Sequence, residues 1–372
     1  MAIYEIKDDV GIIPEGTTEI EKEAFNDCKE LTSVVIPNSV TTIGEGAFSG
    51  CISLTNIEIP SSVTYIGKSA FSGCEGLTAI VIPDSVESID YDAFFGCTGL
   101  KSIVVPNTTA LARAHSSSNA YANFPRMPFK KSLSENIALT KITITKGNGE
   151  KEYYEVSDEC NAIIEKETKA LLIGCASTVI PDGVKEIWSQ AFDGCSNLKS
   201  INIPATVTTI GEAAFRGCNG LVELILPETL TNIGRSAFEN CTSLSKVVIP
   251  ESVTEIASGA FNGCSNLANV VLPSSLTIIG VSVFNSTALK EIVIPDEVKE
   301  LQSNAFAYCE ALTTVTLPKS VKKISEYAFN GCTSLKTINV PAKRADYYKK
   351  RLPEELHGLI VELPAEKKAK KK

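Results

Sequence analysis

Apolar and polar residues follow one pattern that recurs about every twenty-three residues along most of the chain. One copy, Leu54–Cys74, is "LTNIEIPSSVTYIGKSAFSGC". Its L-x-x-I-x-I part ends in alternation with a period of two, which predicts a short strand that the proline closes. The V-x-x-I part predicts a short extended or 3₁₀ piece. No copy carries the ten or more residues of helical periodicity that would predict a substantial helix.

The repeat keeps its register over eleven copies, and each copy contains one phenylalanine that follows alanine or valine. The steps are twenty-three residues, apart from one shortened step and one long interruption. A single coil cannot bury its apolar side chains by itself, whereas stacked coils bury them against each other. Each such side chain contributes roughly 1.5–3 kcal/mol when fully buried. The sequence therefore predicts a solenoid. The marker phenylalanines are Phe25, Phe48, Phe71, Phe94, Phe192, Phe215, Phe238, Phe261, Phe284, Phe306 and Phe329.

Ten of the twelve cysteines fall at the same repeat position, so stacking would place them in a column. Neighbours about 4.8 Å apart are close enough for disulfides, but every thiol would have two equivalent neighbours. Zinc needs four ligands that converge on a point, which a straight column does not offer. The pattern favours buried thiols that act as small apolar groups, with disulfides as the alternative in a secreted protein. Cys160 and Cys175 lie outside the column, as core residues or as a cross-strand disulfide.

The residue before each repeat cysteine is usually glycine, and Asp27 or Asn240 replaces it in two copies. These residue types adopt positive φ readily, which predicts a left-handed turn at this corner of the coil. Tyr308 is the exception, and it predicts local strain or a different turn.

Breaks in the repeat divide the chain into five segments. Two hairpins are expected in the insertion, one around Gly147–Gly149 and one turning at Glu165–Lys169. Tyr348, Leu352 and Leu356 are spaced for one face of a C-terminal cap, with a break at Pro353. The predicted segments are an N-terminal cap with the first repeat block (1–106), an insertion (107–174), a second repeat block (175–341), a C-terminal cap (342–363) and a disordered lysine-rich tail (364–372).

Composition and motifs exclude several classes of function. The net charge of −9 disfavours nucleic acid, and no apolar run approaches the roughly eighteen residues that a membrane span needs. The two histidines, His115 and His357, lack the neighbours of a catalytic or metal site, and no phosphate-binding glycine motif occurs. We therefore predict no catalysis, no metal and no cofactor. The N-terminus does not resemble a secretory signal, which favours a cytosolic protein unless a leader has been removed.

One position on the strands carries the candidate binding surface. The side chain between the last two inward residues points outward, and it is valine or isoleucine in seven of eleven copies. Branched residues suit any strand, so β-propensity alone could account for them. Alternatively, a contiguous apolar row marks an interaction site, with docking expected on residues 222–293. We call the following residues the valine stripe: Val35, Val81, Val104, Ile225, Val248, Val271 and Val293.

The phrase L-x-x-I-x-I-P-x-x-V-x-x-I-G-x-x-A-F-x-G-C resembles the BspA-type leucine-rich repeat over most of the chain, and the end segment "VPAKRADYYKKRLPEEL" resembles the way such arrays finish. The resemblance implies a β-rich leucine-rich-repeat solenoid, a right-handed superhelix with a parallel sheet on one face and little helix. It also implies a cell-surface adhesin that binds protein, such as an extracellular-matrix or host-surface protein. The alternative is a cytosolic protein-interaction scaffold. Neither reading predicts an oligomeric state.

Overall fold

The protein is described here by a computed structural model, and it divides into two compact units. Unit 1 is Met1–Val184 with Gln190–Leu198, and unit 2 is Lys185–Ser189 with Lys199–Lys372. Each unit is a β-solenoid in which coils of about twenty-three residues stack through short parallel strands. The residues that the structure describes are 4–90, 92–105, 141–144, 154–155 and 161–365.

The L-x-x-I-x-I segments form the strand face, in which most consecutive strands pair in parallel and corresponding repeat positions of the paired strands lie opposite each other. Val81 lies opposite Val104 in unit 1, and Val248 lies opposite Val271 in unit 2. In unit 1 the repeat strands are β4 (Ser33–Val35), β6 (Asn56–Ile57), β8 (Ala79–Val81) and β10 (Ser102–Val105). In unit 2 they are β16 (Ser200–Asn202), β18 (Glu223–Ile225), β20 (Lys246–Val248), β22 (Asn269–Val271), β24 (Glu291–Val293), β26 (Thr314–Thr316) and β28 (Thr337–Val340).

The V-x-x-I segments form a second ladder of two-residue parallel strands, so each unit carries parallel pairing on two faces of the coil. The sequence predicted a sheet on one face only. Backbone groups of stacked coils meet at strand spacing here too, and they pair because unpaired backbone donors and acceptors are costly. In unit 1 the strands are β3 (Glu19–Ile20), β5 (Thr42–Ile43), β7 (Tyr65–Ile66) and β9 (Ser88–Ile89). In unit 2 they are β15 (Glu186–Ile187), β17 (Thr209–Ile210), β19 (Asn232–Ile233), β21 (Glu255–Ile256), β23 (Ile278–Ile279), β25 (Glu300–Leu301) and β27 (Lys323–Ile324).

The marker phenylalanines form a stacked column inside each unit, which confirms the predicted register. Phe71 and Phe94 have ring centroids 5.4 Å apart and planes inclined by 1°. In unit 2 the rings of Phe215 and Phe238 are 5.3 Å apart and inclined by 3°. All ten rings from Phe25 to Phe306 are fully buried. Like residues of successive coils therefore share one interior, as the repeat requires.

The N-terminal segment closes the first coil. Strands β1 (Glu5–Lys7) and β2 (Val10–Ile12) form an antiparallel hairpin, and β2 pairs in parallel with β4. The Tyr4 ring lies 5.3 Å from the Phe25 ring, and the Tyr4 hydroxyl accepts a hydrogen bond from Glu21 N at 2.9 Å. A tyrosine therefore ends the ring column at this cap.

The C-terminal segment closes the last coil. A short helix, α1 (Ala345–Lys349), buries Tyr348, and Leu352 is also buried. The predicted break is confirmed, because Pro353 precedes a separate 3₁₀ segment, Glu354–Leu359. Strand β29 (Ile360–Glu362) then pairs in parallel with β28. Most of the predicted tail, residues 366–372, lies outside the described residues.

The insertion adds strands to unit 1. The second predicted hairpin is confirmed: β13 (Ile163–Glu165) and β14 (Ala170–Ile173) pair antiparallel, and Lys169 N donates to Glu165 O at 3.0 Å. In the described part of the first predicted hairpin, β11 (Lys141–Ile144) pairs in parallel with β10, whereas β12 (Tyr154–Glu155) pairs with β13. The turn at 147–149 lies outside the described residues.

Candidate partner-binding surface

The valine stripe lies on the outer side of the strand face. Six of its seven residues are exposed, from 45% for Val248 to 75% for Ile225. Val104 is half-buried, and at this point β11 pairs alongside β10 with Thr143 opposite Val104. In unit 2 the stripe runs through four consecutive coils. In unit 1 the charged side chain of Glu58 interrupts it.

The N-terminal cap extends this row, and the C-terminal cap places one more apolar residue at the same position beyond Thr316 and Asn339; the repeat pattern predicted neither. Ile12 in β2 lies opposite Val35 and is exposed, and Val361 in β29 lies opposite Asn339 and is exposed. Both residues belong to segments that lack the repeat phrase, so the spacing of the repeats could not assign them. The alternation of outward and inward residues within "VGI" and "IVE" was the sequence signal that could have identified Ile12 and Val361.

Charged and polar side chains flank the stripe in unit 2. The outward position two residues before each stripe residue carries Glu223, Lys246, Asn269 and Glu291, and all four are exposed. An apolar row with charges of both signs beside it can bury area against another protein while its rim stays solvated. Full burial of the four stripe residues of unit 2 would contribute roughly 1.5–3 kcal/mol per side chain.

The repeat cysteines form no disulfides, and several of them make hydrogen bonds in addition to packing in the core. Each of several thiols donates a hydrogen bond to the phenylalanine carbonyl of the preceding coil. Cys74 Sγ lies 3.1 Å from Phe48 O, and Cys264 Sγ lies 3.1 Å from Phe238 O. Thr287 takes the cysteine position in the shortened coil and donates to Phe284 O at 2.9 Å. The prediction of buried thiols is confirmed for eight of the ten column cysteines, while Cys28 and Cys332 are partly exposed, and the thiol–carbonyl bonds are an additional finding.

Burial makes most of these thiols poor nucleophiles; Cys309 is the exception, because its hydrogen bond with Cys332 lowers its pKa. Burial raises the pKa of Cys51, Cys97 and Cys264 to about 12. It raises the pKa of Cys74 and Cys195 further still. Because the thiolate is the reactive form, thiols of this kind are chemically inert in the folded protein. Cys175 is also free and buried, while Cys160 lies outside the described residues.

The predicted left-handed corner is confirmed, including at Tyr308. Asp27, Asn240 and Tyr308 have φ of 57°, 59° and 54°. Each non-glycine side chain here lies over a glycine of the next coil. A Cβ on Gly263 would stand 2.1 Å from Asn240 Oδ1, and one on Gly331 would stand 2.6 Å from Tyr308 Cδ1. The left-handed conformation costs a bulky residue about 1 kcal/mol or more, so strain is expected at Tyr308.

A second left-handed corner lies two residues before the marker phenylalanine, and the sequence did not predict it. It holds residues as different as Glu23, Gln190 and Ala213, with φ of 58°, 60° and 53°. Of the eleven copies, only the last departs, with Tyr327 at this position.

Other chemistry is sparse in the described part of the chain. There, no three histidine, cysteine or acidic side chains gather as ligands for a metal ion. His357 Nε2 lies 3.0 Å from Leu352 O in the C-terminal cap, and His115 lies outside the described residues. None of the helices in the described ranges has the length and apolar character to cross a bilayer.

Together, the stacked coils, the phenylalanine column and the two parallel ladders define a leucine-rich-repeat solenoid. The chain belongs to the BspA-type leucine-rich-repeat family, whose model matches residues 11–124, 185–313 and 301–351. No curated protein is similar enough to the chain to count as a match.

Solved structures of bacterial leucine-rich-repeat proteins share this fold. One from Eubacterium ventriosum is 25% identical with a TM-score of 0.65, over 89% of this chain and 92% of that one. One from Bacteroides ovatus is 26% identical with a TM-score of 0.53, over 95% of this chain and 83% of that one. The pneumococcal vaccine antigen PcpA is 20% identical with a TM-score of 0.61, over 96% of this chain and 78% of that one, and supports the fold alone. The chain is therefore similar in fold to bacterial leucine-rich-repeat proteins.

Proposed function

We propose that this protein is a non-enzymatic, adhesin-like binding protein that holds a protein partner on its strand face. The observation that carries the proposal is the exposed valine stripe of unit 2, Ile225, Val248, Val271 and Val293. Val248 and Val271 lie opposite each other in one hydrogen-bonded strand pair, and Val293 lies in the next, so little conformational entropy is lost when these side chains are covered. Isolated exposed apolar residues are ordinary, whereas a contiguous row of them marks an interaction surface.

The buried thiols support a role in binding rather than in covalent catalysis. They are the obvious candidate nucleophiles of the chain, yet burial raises the pKa of Cys264 to about 12 and engages its Sγ with a backbone carbonyl. The family suggests the class of partner, an extracellular-matrix or host-surface protein. Fibronectin and fibrinogen are the first proteins to test.

The test changes the stripe without changing the interior. Val248→Glu with Val271→Glu places two carboxylates on the outer side of β20 and β22. We expect binding to immobilised fibronectin or fibrinogen, measured by surface plasmon resonance, to weaken about 100-fold, because covering the exposed halves of two valines contributes roughly 1.5–3 kcal/mol and the new carboxylates would have to be desolvated. Circular dichroism should show an unchanged fold.

A matched control carries the same added charge elsewhere on unit 2. Asn232→Glu with Ile278→Glu modifies exposed outward residues of the second ladder, in β19 and β23. This variant should bind like the parent chain. Equal affinity of the stripe variant and the parent would refute the placement on the strand face.

A second reading is favoured by the free thiols of the column, which suit a reducing compartment. In that case the same face would serve a cytosolic interaction scaffold. Fractionation of cells combined with thiol labelling of the unfolded chain separates the two readings. Recovery of the chain in the cytosolic fraction alone would replace the adhesin with the scaffold.

A further inference from the structure

Two consecutive coils of unit 2 depart from the repeat, one at the first left-handed corner and the other at the second, and both departures are tyrosines. Tyr308 stands where the other coils have glycine, aspartate, asparagine or serine before the cysteine position. Tyr327 stands at the second corner, where the ten other coils hold a left-handed residue and this one does not. Each tyrosine is 52% exposed.

Hydrogen bonds join the two tyrosines through one residue. Tyr308 N donates to Asn330 O at 2.7 Å, and Asn330 N donates to Tyr327 O at 3.2 Å. The Asn330 side chain also reaches the first tyrosine, since its Nδ2 lies 3.4 Å from the Tyr308 hydroxyl. The Tyr308 ring packs against Gly331, where a Cβ would approach Cδ1, Cε1 and Cγ within 3.3 Å. The ring is thus fixed in orientation, although about half of the residue is open to solvent.

The fold alone does not account for Tyr308. Glycine, aspartate and asparagine build the same corner in the other coils, and they do so without the backbone strain of a bulky residue at φ 54°. A half-exposed ring also gains little hydrophobic free energy to offset this backbone strain. Residues held in such unfavourable conformations concentrate at functional sites. A second exposed tyrosine in the next coil, joined to the first through Asn330, makes a chance departure a poor explanation.

We propose that Tyr308 and Tyr327 form an aromatic platform that binds a neutral carbohydrate, separately from the protein-binding strand face. A pyranose ring presents an apolar C–H face that packs on a tyrosine ring, while its hydroxyls need polar partners at the edge. Asn330 and Glu326 are exposed on the same turn and supply an amide and a carboxylate. An apolar peptide would meet this polar rim unfavourably, and the exposed carboxylates of Glu310 and Glu326 oppose acidic sugars.

The intact chain should be applied to an array of neutral and acidic oligosaccharides, followed by calorimetry with the neutral oligosaccharide that binds best. We expect binding in the range of about 0.01–1 mM, as for a shallow site with few contacts. Tyr308→Gly restores the residue of the other coils. It should weaken binding at least 10-fold, while the melting temperature stays equal or rises by about 1–3 °C because strain is relieved. Loss of binding without loss of stability is a result that a purely structural tyrosine would not give.

Controls separate this site from general surface effects. Tyr308→Phe keeps the ring and should keep most of the affinity. Phe95→Ser removes an exposed aromatic ring of unit 1 from the position before a left-handed glycine, and should leave binding unchanged. The Val248→Glu, Val271→Glu chain should also bind the oligosaccharide normally, so failure of the strand-face proposal would be distinguishable. Absence of any neutral glycan bound at millimolar concentration, or equal binding by Tyr308→Gly, would overturn the platform. Tyr308→Gly impairing only self-association or capture of a protein would also overturn it, in favour of a protein interface.

Discussion

Raising the pH should unfold this protein, because its thiol columns cannot ionise while they are buried. Besides Cys51 and Cys332, five thiols lie in the column with pKa values well above the ordinary value of 9: Cys74, Cys97, Cys195, Cys241 and Cys264. Burial is the first cause for each of these five. In the unfolded chain the same thiols ionise near pH 9. Their contribution to stability is therefore fully present below about pH 9 and is lost progressively as the pH rises towards 12.

The size of the effect follows from the difference between the thiol pKa in the unfolded chain and the thiol pKa in the folded protein. At about pH 10 each unfolded thiol is mostly ionised and each native thiol is still protonated, which favours unfolding by about 1 kcal/mol per thiol. The five thiols together amount to roughly 5–7 kcal/mol, comparable to the total stability of an ordinary domain. We expect the urea midpoint, followed by circular dichroism in reducing buffer, to fall steeply between about pH 7.5 and pH 10.

Tyrosine and lysine also titrate near pH 10, so a variant is needed to assign the effect to the thiols. Cys74→Val with Cys97→Val removes two of them from unit 1. The difference in unfolding free energy between about pH 7.5 and pH 10 should shrink by roughly 2–3 kcal/mol, whatever the variant's stability at neutral pH. An unchanged difference would refute the reasoning. So would thiolate absorbance that rises near pH 9 while the circular dichroism stays native.

Two substitutions test the interior of the coils. Phe238→Ala removes a buried ring whose centroid lies 5.3 Å from that of Phe215 and 5.2 Å from that of Phe261. In urea denaturation it should lower the unfolding free energy by about 4–6 kcal/mol. A loss below about 2 kcal/mol would contradict the stacked core. Gly67→Ala should cost about 2–3 kcal/mol, because its Cβ would lie 2.8 Å from backbone atoms of the preceding coil. Gly73→Asn should cost under about 1 kcal/mol, since asparagine tolerates this left-handed corner. Equal melting temperatures of the Gly67→Ala and Gly73→Asn variants would contradict the closer packing at Gly67.

The repeat made most of the architecture predictable, because its spacing fixes which residues stack. The phenylalanine column and the left-handed corner at Asp27 and Asn240 follow from residue type and position alone. The second corner could not be predicted, because residue propensity does not set it. Glu23 N donates to Glu45 O and Ala213 N donates to Arg235 O, both at 2.8 Å, so hydrogen bonds to the next coil hold these residues left-handed.

The candidate surface was only partly predictable for a related reason. Alternation within the repeat located Val248 and Val271 on the outer side of the strands. Ile12 and Val361 lie at the same outward position in caps whose pairing with the solenoid the repeat does not specify. Pairing also explains why Val104 is half-buried, because a strand from the insertion, β11, adds to β10.

The side chains that lie over glycines at the left-handed corner restrict how such an array can grow by gene duplication. A coil with glycine at this corner can follow any other coil, because it leaves room for whatever its predecessor projects. The coil that carries Tyr308 could not be copied next to itself, since the first tyrosine would occupy the space of the second one's Cβ, 2.6 Å from Cδ1 at Gly331. The order in which coils can follow one another is therefore restricted. Coils with glycine at this corner are the units that unequal crossing-over can multiply.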